Sequence, residues 1–181
     1  MSTKMFNRML MASKLDVNLY EEVEADKTLL PEAMVVVIFS SLAAGLGSWS
    51  MGVGELLTNT IGELLSWYVW AFIVYLIGTK LLPEPQTTAD HGELLRTIGY
   101  SSAPGIIRIL KPVLPFDGVI DFIANGWMLI AMIIAVRQAL DYESTLRSVA
   151  VCVLGLLVKI IALTFILIAL SFLSIVVGNA I

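Results

Sequence analysis

The chain has 181 residues, of which 58% are hydrophobic and only 14% charged, and its mean hydropathy is +0.89. Soluble domains carry about a quarter charged residues and need enough polar surface to cover themselves, so the composition excludes an ordinary water-soluble fold and points to the bilayer. A net charge of −4 with 11 lysines and arginines leaves no basic face for nucleic acid. A single cysteine, Cys152, and a single histidine, His91, exclude an intramolecular disulfide, a thiolate cluster and a histidine-rich metal site.

From the N-terminus, Lys4, Arg8 and Lys14 precede the charged stretch at Glu21 with no continuous apolar run between, so no cleavable signal peptide is expected. Residues 4–15 have the spacing of a short amphipathic helix. Met5, Phe6, Met9 and Leu10 share one face, and Lys4, Asn7, Arg8 and Lys14 the other. Such a helix either lies at the headgroup interface or remains a frayed terminus. Glu21, Glu22, Glu24 and Asp26 come next, either as a solvated face repelled by anionic lipid or as a docking surface for a basic partner. Thr28 stands where a helix N-cap is expected, with Pro31 and Glu32 in the first turn.

The first predicted span runs from Pro31 to Val53. Its small residues Ser41 and Gly45 have the spacing that lets a neighbouring helix approach closely, and Trp49 falls at the far interface. The second runs from Ile61 to Leu82, with Glu63 in its first turn. The third stretch, Leu94 to Phe116, is interrupted by Arg96, Pro104, Arg108, Lys111, Pro112 and Pro115. It is expected to be a span kinked and shielded by its neighbours, or a re-entrant segment. The fourth runs from Val119 to Leu140 and contains Asn125 and Trp127. The fifth, Leu146 to Val177, would be about 48 Å long against a hydrocarbon core of about 30 Å. Gly155 is the expected hinge, releasing an interfacial segment and letting Lys159 snorkel to the surface; two half-spans are the alternative.

The expected fold is therefore all-α, a polytopic membrane helical bundle of about five transmembrane helices. Lys4, Arg8, Lys14, Lys27, Lys80, Arg96, Arg137 and Arg147 fall on one side, which makes the N-terminus cytoplasmic. Residues 1–28 are expected as a cytoplasmic amphipathic and acidic segment, and 29–181 as the bundle. No recognised catalytic set is present. One histidine excludes the paired-histidine zinc motif, no base can be assigned to Ser101 or Ser102, and Gly45-Leu46-Gly47 lacks the strand and third glycine of a nucleotide fingerprint. Asp90-His91-Gly92-Glu93 reads as a solvated loop, with pH sensing as the alternative. The intramembrane polar residues Glu63, Asn125 and Lys159 are the suspects for a solute pathway, although each also has a plain structural role.

Ile98-Gly99-Tyr100-Ser101-Ser102-Ala103-Pro104, placed after the second span and a polar loop, resembles the Yip family of multipass proteins, named for interaction with Ypt/Rab GTPases. That family shows a Gly-Tyr-Ser-x-x-Pro-like element at the start of its third span, matched here by Gly99, Tyr100, Ser101 and Pro104. Residues 20–27, 78–82, 92–99 and 136–142 look like bacterial members. The resemblance implies five spans, a cytoplasmic N-terminus and no enzymatic activity or cofactor. The family's acidic-Leu-Tyr-Gly-Pro element is reduced to Asp16 and Leu19-Tyr20, and its long cytosolic domain is missing. Those departures argue against a Rab-type GTPase partner and for a bacterial inner membrane. The expected function is scaffolding or membrane organisation with a second copy or another membrane protein as partner. A small-solute or ion permease and an accessory subunit of a larger complex are the alternatives.

Overall fold

The computed structural model describes residues 3–47, 52–114 and 116–178, which are helical almost throughout. Trp49 and Pro115 lie outside the described residues. The elements are α1 (Thr3–Ser13), α2 (Val17–Ala25), a 3₁₀ turn (Lys27–Leu29), α3 (Leu30–Leu46), α4 (Val53–Leu76) ending in a π-turn (Ile77–Leu81), α5 (His91–Tyr100), a 3₁₀ helix (Ala103–Leu110), α6 (Asp117–Ala139) and α7 (Thr145–Gly178). By length and composition α3 with its preceding turn, α4, α6 and α7 can each cross a membrane. The third predicted span is α5 followed by the 3₁₀ helix.

Pairs of touching residues fix the direction of each segment. A Cβ on Gly99 would lie 2.9 Å from that of Ala33, one on Gly105 would strike Ser40 Oγ, and one on Gly47 would strike the Arg108 carbonyl. The third segment therefore runs alongside α3, in the same sense, over nearly its whole length. The α-helical part supplies about 15 Å and the 3₁₀ part about 16 Å, together comparable to a hydrocarbon core. The segment has the expected break, although it is not among the four described helices long and apolar enough to cross a membrane.

Pro104 explains the break, because it lacks an N–H and disfavours helical geometry at Ala103 before it. Ala103, Pro104 and Gly105 are buried, and the 3₁₀ helix packs between α3 and α6, which keeps its irregular backbone away from lipid. The other segments alternate. Ser41 of α3 meets Thr60 of α4 at 3.2 Å, and Trp67 Nε1 donates to the Leu95 carbonyl at 3.0 Å. Lys111 meets Asp121 of α6 at 2.9 Å, and Arg147 of α7 meets Glu84 at 3.2 Å.

α2 docks against α5 and α6, and α1 packs along the 3₁₀ helix, where Trp127 of α6 donates to the Ser13 carbonyl at 2.7 Å. Leu19, Tyr20 and Val23 of α2 are fully buried against α5 and α6, and each apolar side chain of that kind contributes about 2 kcal/mol relative to exposure. The expected apolar face of α1 divides: Met5, Met9 and Ala12 turn inward, while Phe6 and Leu10 stay exposed. The N-cap expected at Thr28 is replaced by Asp26, whose carboxylate accepts from the Thr28 N–H at 2.9 Å, and α3 itself begins with Leu29 at the cap position.

Two further boundaries differ from expectation. α4 begins at Val53 rather than Ile61, so Glu63 lies in the body of the helix and not in its first turn. α7 is one helix of 34 residues with no break at Gly155. That glycine instead admits the Trp70 ring, whose edge would lie 3.2 Å from an added Cβ.

Gly105→Val places branched carbons against Ser40 Oγ and within 2.8 Å of Met128 Sδ. It is expected to cost about 1–3 kcal/mol, read as a lowered Tm in detergent. The matched control, Gly118→Val, faces open space and should leave Tm nearly unchanged; an equal drop in both would remove the packing argument.

Candidate functional site

Between α3, α4, the 3₁₀ helix and α6 lies a cavity of about 860 Å³ on the side of the bundle away from the N-terminus. Ser41 and Gly45 of α3, Glu63 of α4 and Asn125 of α6 all line it. Its charged wall is Arg108, Lys111 and Asp121. Arg108 Nε lies 3.4 Å from Asp121 Oδ1 and Lys111 Nζ 2.9 Å from Asp121 Oδ2, so two cations share one carboxylate. Arg108 also donates to Asn125 Oδ1 at 2.7 Å and points Nη1 at the weakly accepting Met128 sulfur at 3.3 Å. The Arg108 and Lys111 side chains are each 11% exposed. Their meeting with Asp121 was not legible in the sequence, because it depends on the parallel packing of α3 against the broken segment.

The cavity continues into a slot of about 490 Å³ between α4, α6 and α7, sharing Val37, Glu63, Ser102, Asn125 and Met128 with it. Trp67, Trp70, Leu129, Ile133 and Val153 make the slot apolar. Lys159 lies at its edge and does not snorkel. Its Nζ donates to Ser66 Oγ at 2.8 Å and sits 5.8 Å from the centre of the Trp70 ring, within cation–π range. The structure thus brings Glu63, Asn125 and Lys159 to one continuous opening. Among the described residues, neither Glu63 nor Lys159 forms an ion pair.

Of the acidic residues at the N-terminus, Glu21, Glu22 and Asp26 have internal partners. Glu22 accepts from Arg8 at 2.8 Å and Glu21 from Gln138 at 3.1 Å. The Thr28 hydroxyl and N–H hold the Asp26 carboxyl below its ordinary pKa. Beneath them the Arg96 guanidinium, 3% exposed, donates to the Val23 carbonyl at 2.8 Å and to that of Glu24. It caps the C-terminal end of α2, where a cation also suits the helix dipole. Glu24 and Glu21, with Asp141 and Glu143, line a separate cavity of about 420 Å³. Burial, then repulsion from Asp141, Glu93 and Glu21, pushes the Glu24 pKa from 4.5 to about 7.

His91, expected in a solvated loop, occupies the first position of α5 behind a capping box formed by Asp90 and Glu93. Its ring stands edge-on to Tyr68 at 5.0 Å and Phe72 at 5.5 Å.

The four residues of the Gly-Tyr-Ser-x-x-Pro element have packing roles. Gly99 admits Ala33, Tyr100 is fully buried and donates to Glu32, Ser101 donates to the Ile98 carbonyl at 2.7 Å, and Pro104 opens the 3₁₀ helix. The other family-like stretches meet in pairs. Residues 20–27 join 92–99 through Arg96. Residues 78–82 join 136–142 through Tyr142, whose hydroxyl lies 3.0 Å from the Gly78 carbonyl and 2.7 Å from that of Leu82. A family model described as the Yip1 domain matches residues 18–168. This chain belongs to the Yip1 domain family. No curated protein and no solved structure matches it. The Yip1 domain match extends from α2 into α7, and so takes in the cavity, the slot and both pairs of meeting stretches. The protein is an integral membrane protein of multi-pass type.

Two measurements follow for this Yip1 domain. Because the Glu24 pKa is raised on folding, the native chain holds its proton where the unfolded chain has lost it. Its contribution to stability is complete below about 4.5 and is lost as pH rises through about 7. Glu24→Gln should flatten the dependence of Tm on pH across that window and raise stability at about pH 8 by on the order of 1 kcal/mol, discounted for partial exposure. Arg96→Met leaves the two α2 carbonyls without their charged donor and is expected to cost about 2–4 kcal/mol. Earlier amide exchange confined to α2 would localise the loss.

Proposed function

We propose that this Yip1 domain protein is a non-enzymatic, membrane-organising protein of a bacterial inner membrane that works by holding a protein partner within the bilayer. The observation that carries this reading is the bare surface of α7. Beyond Lys159 the helix leaves the bundle, and Ile160, Ile161, Leu163 and Phe165 are all at least half exposed. A helix exposed all round offers faces to other transmembrane helices, and Ala162 and Ala169 are small enough to permit close approach. The positive-inside rule assigns the side bearing α2 to the cytoplasm, so the segment 1–28 is read as the cytoplasmic part, held through α2 against α5 and α6, and 29–181 as the bundle. With Glu21, Glu22 and Asp26 already partnered internally, the bilayer-embedded surface of α7 is the stronger docking element. A second copy or another membrane protein fits it; a Rab-type GTPase does not follow from it.

Leu163→Cys in a Cys152→Ser background is expected to give a cross-linked species in native membranes with a membrane-permeant bis-thiol reagent, against none for Phe122→Cys on exposed α6 in the same background. A strictly monomeric chain under these conditions would overturn the reading.

One observation favours a second reading, a permease for small solutes. The polar cavity reaches from the outer end of the bundle to Asn125 and Glu63 at mid-depth. Liposomes containing the protein should then show solute flux that falls at least about tenfold with Lys159→Ala. Absence of flux across a broad panel of solutes would dismiss it.

A further inference from the structure

The cavity and the slot form one amphipathic space. At its outer end, where the 3₁₀ helix stops and α6 starts, two cations share a single carboxylate and so carry a local surplus of one positive charge. In a low-dielectric setting that surplus favours an anion. Arg108 has a donor aimed only at a thioether sulfur, which is a poor substitute for an oxyanion. Glu63, on the opposite wall, has no cation within ion-pairing distance among the described residues. Away from this end the lining turns largely apolar in the slot between α4, α6 and α7, with Lys159 at its edge. A small soluble anion would use the cations and leave the slot empty; a hydrocarbon would use the slot and leave the cations uncompensated.

We propose that the space binds one phospholipid, with its phosphate between Arg108 and Lys111 and one acyl chain lying in the slot against Trp67, Trp70 and Val153. The site goes beyond the partner-binding role of α7 and is separable from it, since the cation pair is on the 3₁₀ helix and its end, remote from the bare half of α7. It faces the leaflet opposite the N-terminus. A phosphodiester has the charge to neutralise the surplus and oxygens for the Arg108 fork, and an ethanolamine ammonium on the same headgroup suits Glu63.

The test is native mass spectrometry of the full chain, delipidated in detergent and titrated separately with three probes: dioleoyl phosphatidylethanolamine, dioleoylglycerol, and glycerophosphoethanolamine. One phosphatidylethanolamine per chain is expected, with dioleoylglycerol binding at least about tenfold more weakly for want of the phosphate, and glycerophosphoethanolamine likewise for want of the chain. Arg108→Gln and Lys111→Gln should each weaken phosphatidylethanolamine binding about tenfold. Because Arg108 also holds Asp121 and Asn125, the slot-filling variant Val153→Trp gives an independent reading, and it should weaken phosphatidylethanolamine without affecting glycerophosphoethanolamine.

Equal binding of dioleoylglycerol and phosphatidylethanolamine would overturn the proposal. So would glycerophosphoethanolamine binding as tightly as the lipid, a result that would instead favour the permease reading. Loss of the α7 cross-link with lipid binding intact would remove the partner role and leave this site standing.

Discussion

The close approach of α3 to the broken third segment is the contact on which the bundle depends. Inside a bilayer there is no hydrophobic gain in bringing two helices together, so van der Waals contact between backbones must do it. Ala33, Ser40 and Gly47 recur at a spacing of seven on α3, and they face Gly99, Gly105 and the Arg108 carbonyl in that order. An added Cβ at Gly47, Gly99 or Gly105 would collide across this seam. The seam holds a segment that has lost helical continuity at Pro104, and its direction carries Arg108 and Lys111 to the mouth of the cavity. Asp121 and Asn125 on α6 then meet them because α6 returns along the same 3₁₀ helix.

A second layer of order comes from polar side chains that fasten element ends. Arg96 closes α2, Tyr142 bridges both ends of the π-turn, and Arg137 donates to the Tyr142 and Glu143 carbonyls at 3.1 Å, shaping the turn between α6 and α7. Gly78 belongs to the same device, since an added Cβ would strike the Leu140 side chain. Four of the stretches through which the chain resembles the family, 20–27 with 92–99 and 78–82 with 136–142, meet at these fastenings.

Much of this architecture was legible from hydropathy and punctuation. The fourth span, expected at Val119 to Leu140, is observed at Asp117–Ala139, and the proline cluster announced the break in the third. The misreadings share a physical cause, which is that polarity in sequence says nothing about which way a residue faces. The second span was expected to begin at Ile61 with Glu63 in its first turn, yet α4 begins eight residues earlier, at Val53, and Thr58, Asn59 and Glu63 on it line the cavity. Lys159 looked like a snorkelling residue; it stays at mid-depth because Ser66 and Trp70 are there to receive it. The small residues Ser41 and Gly45 line the cavity, and Ser41 also meets Thr60 of α4 at 3.2 Å, while the tightest seam uses Ala33, Ser40 and Gly47. A window of four residues finds one pair, and a heptad was needed to find the other.

The broken third segment also has a consequence for how the chain is made. Arg96, Arg108, Lys111 and two described prolines make it a poor candidate to leave the translocation machinery on its own, since each central cation opposes insertion by about 2.5–3.5 kcal/mol. α3 and α4 are apolar enough to insert first, and α3 already presents the groove of small residues. The segment is then best delivered late, when α6 has emerged with Asp121 to meet its cations, so that the third segment in the chain is among the last to enter the membrane.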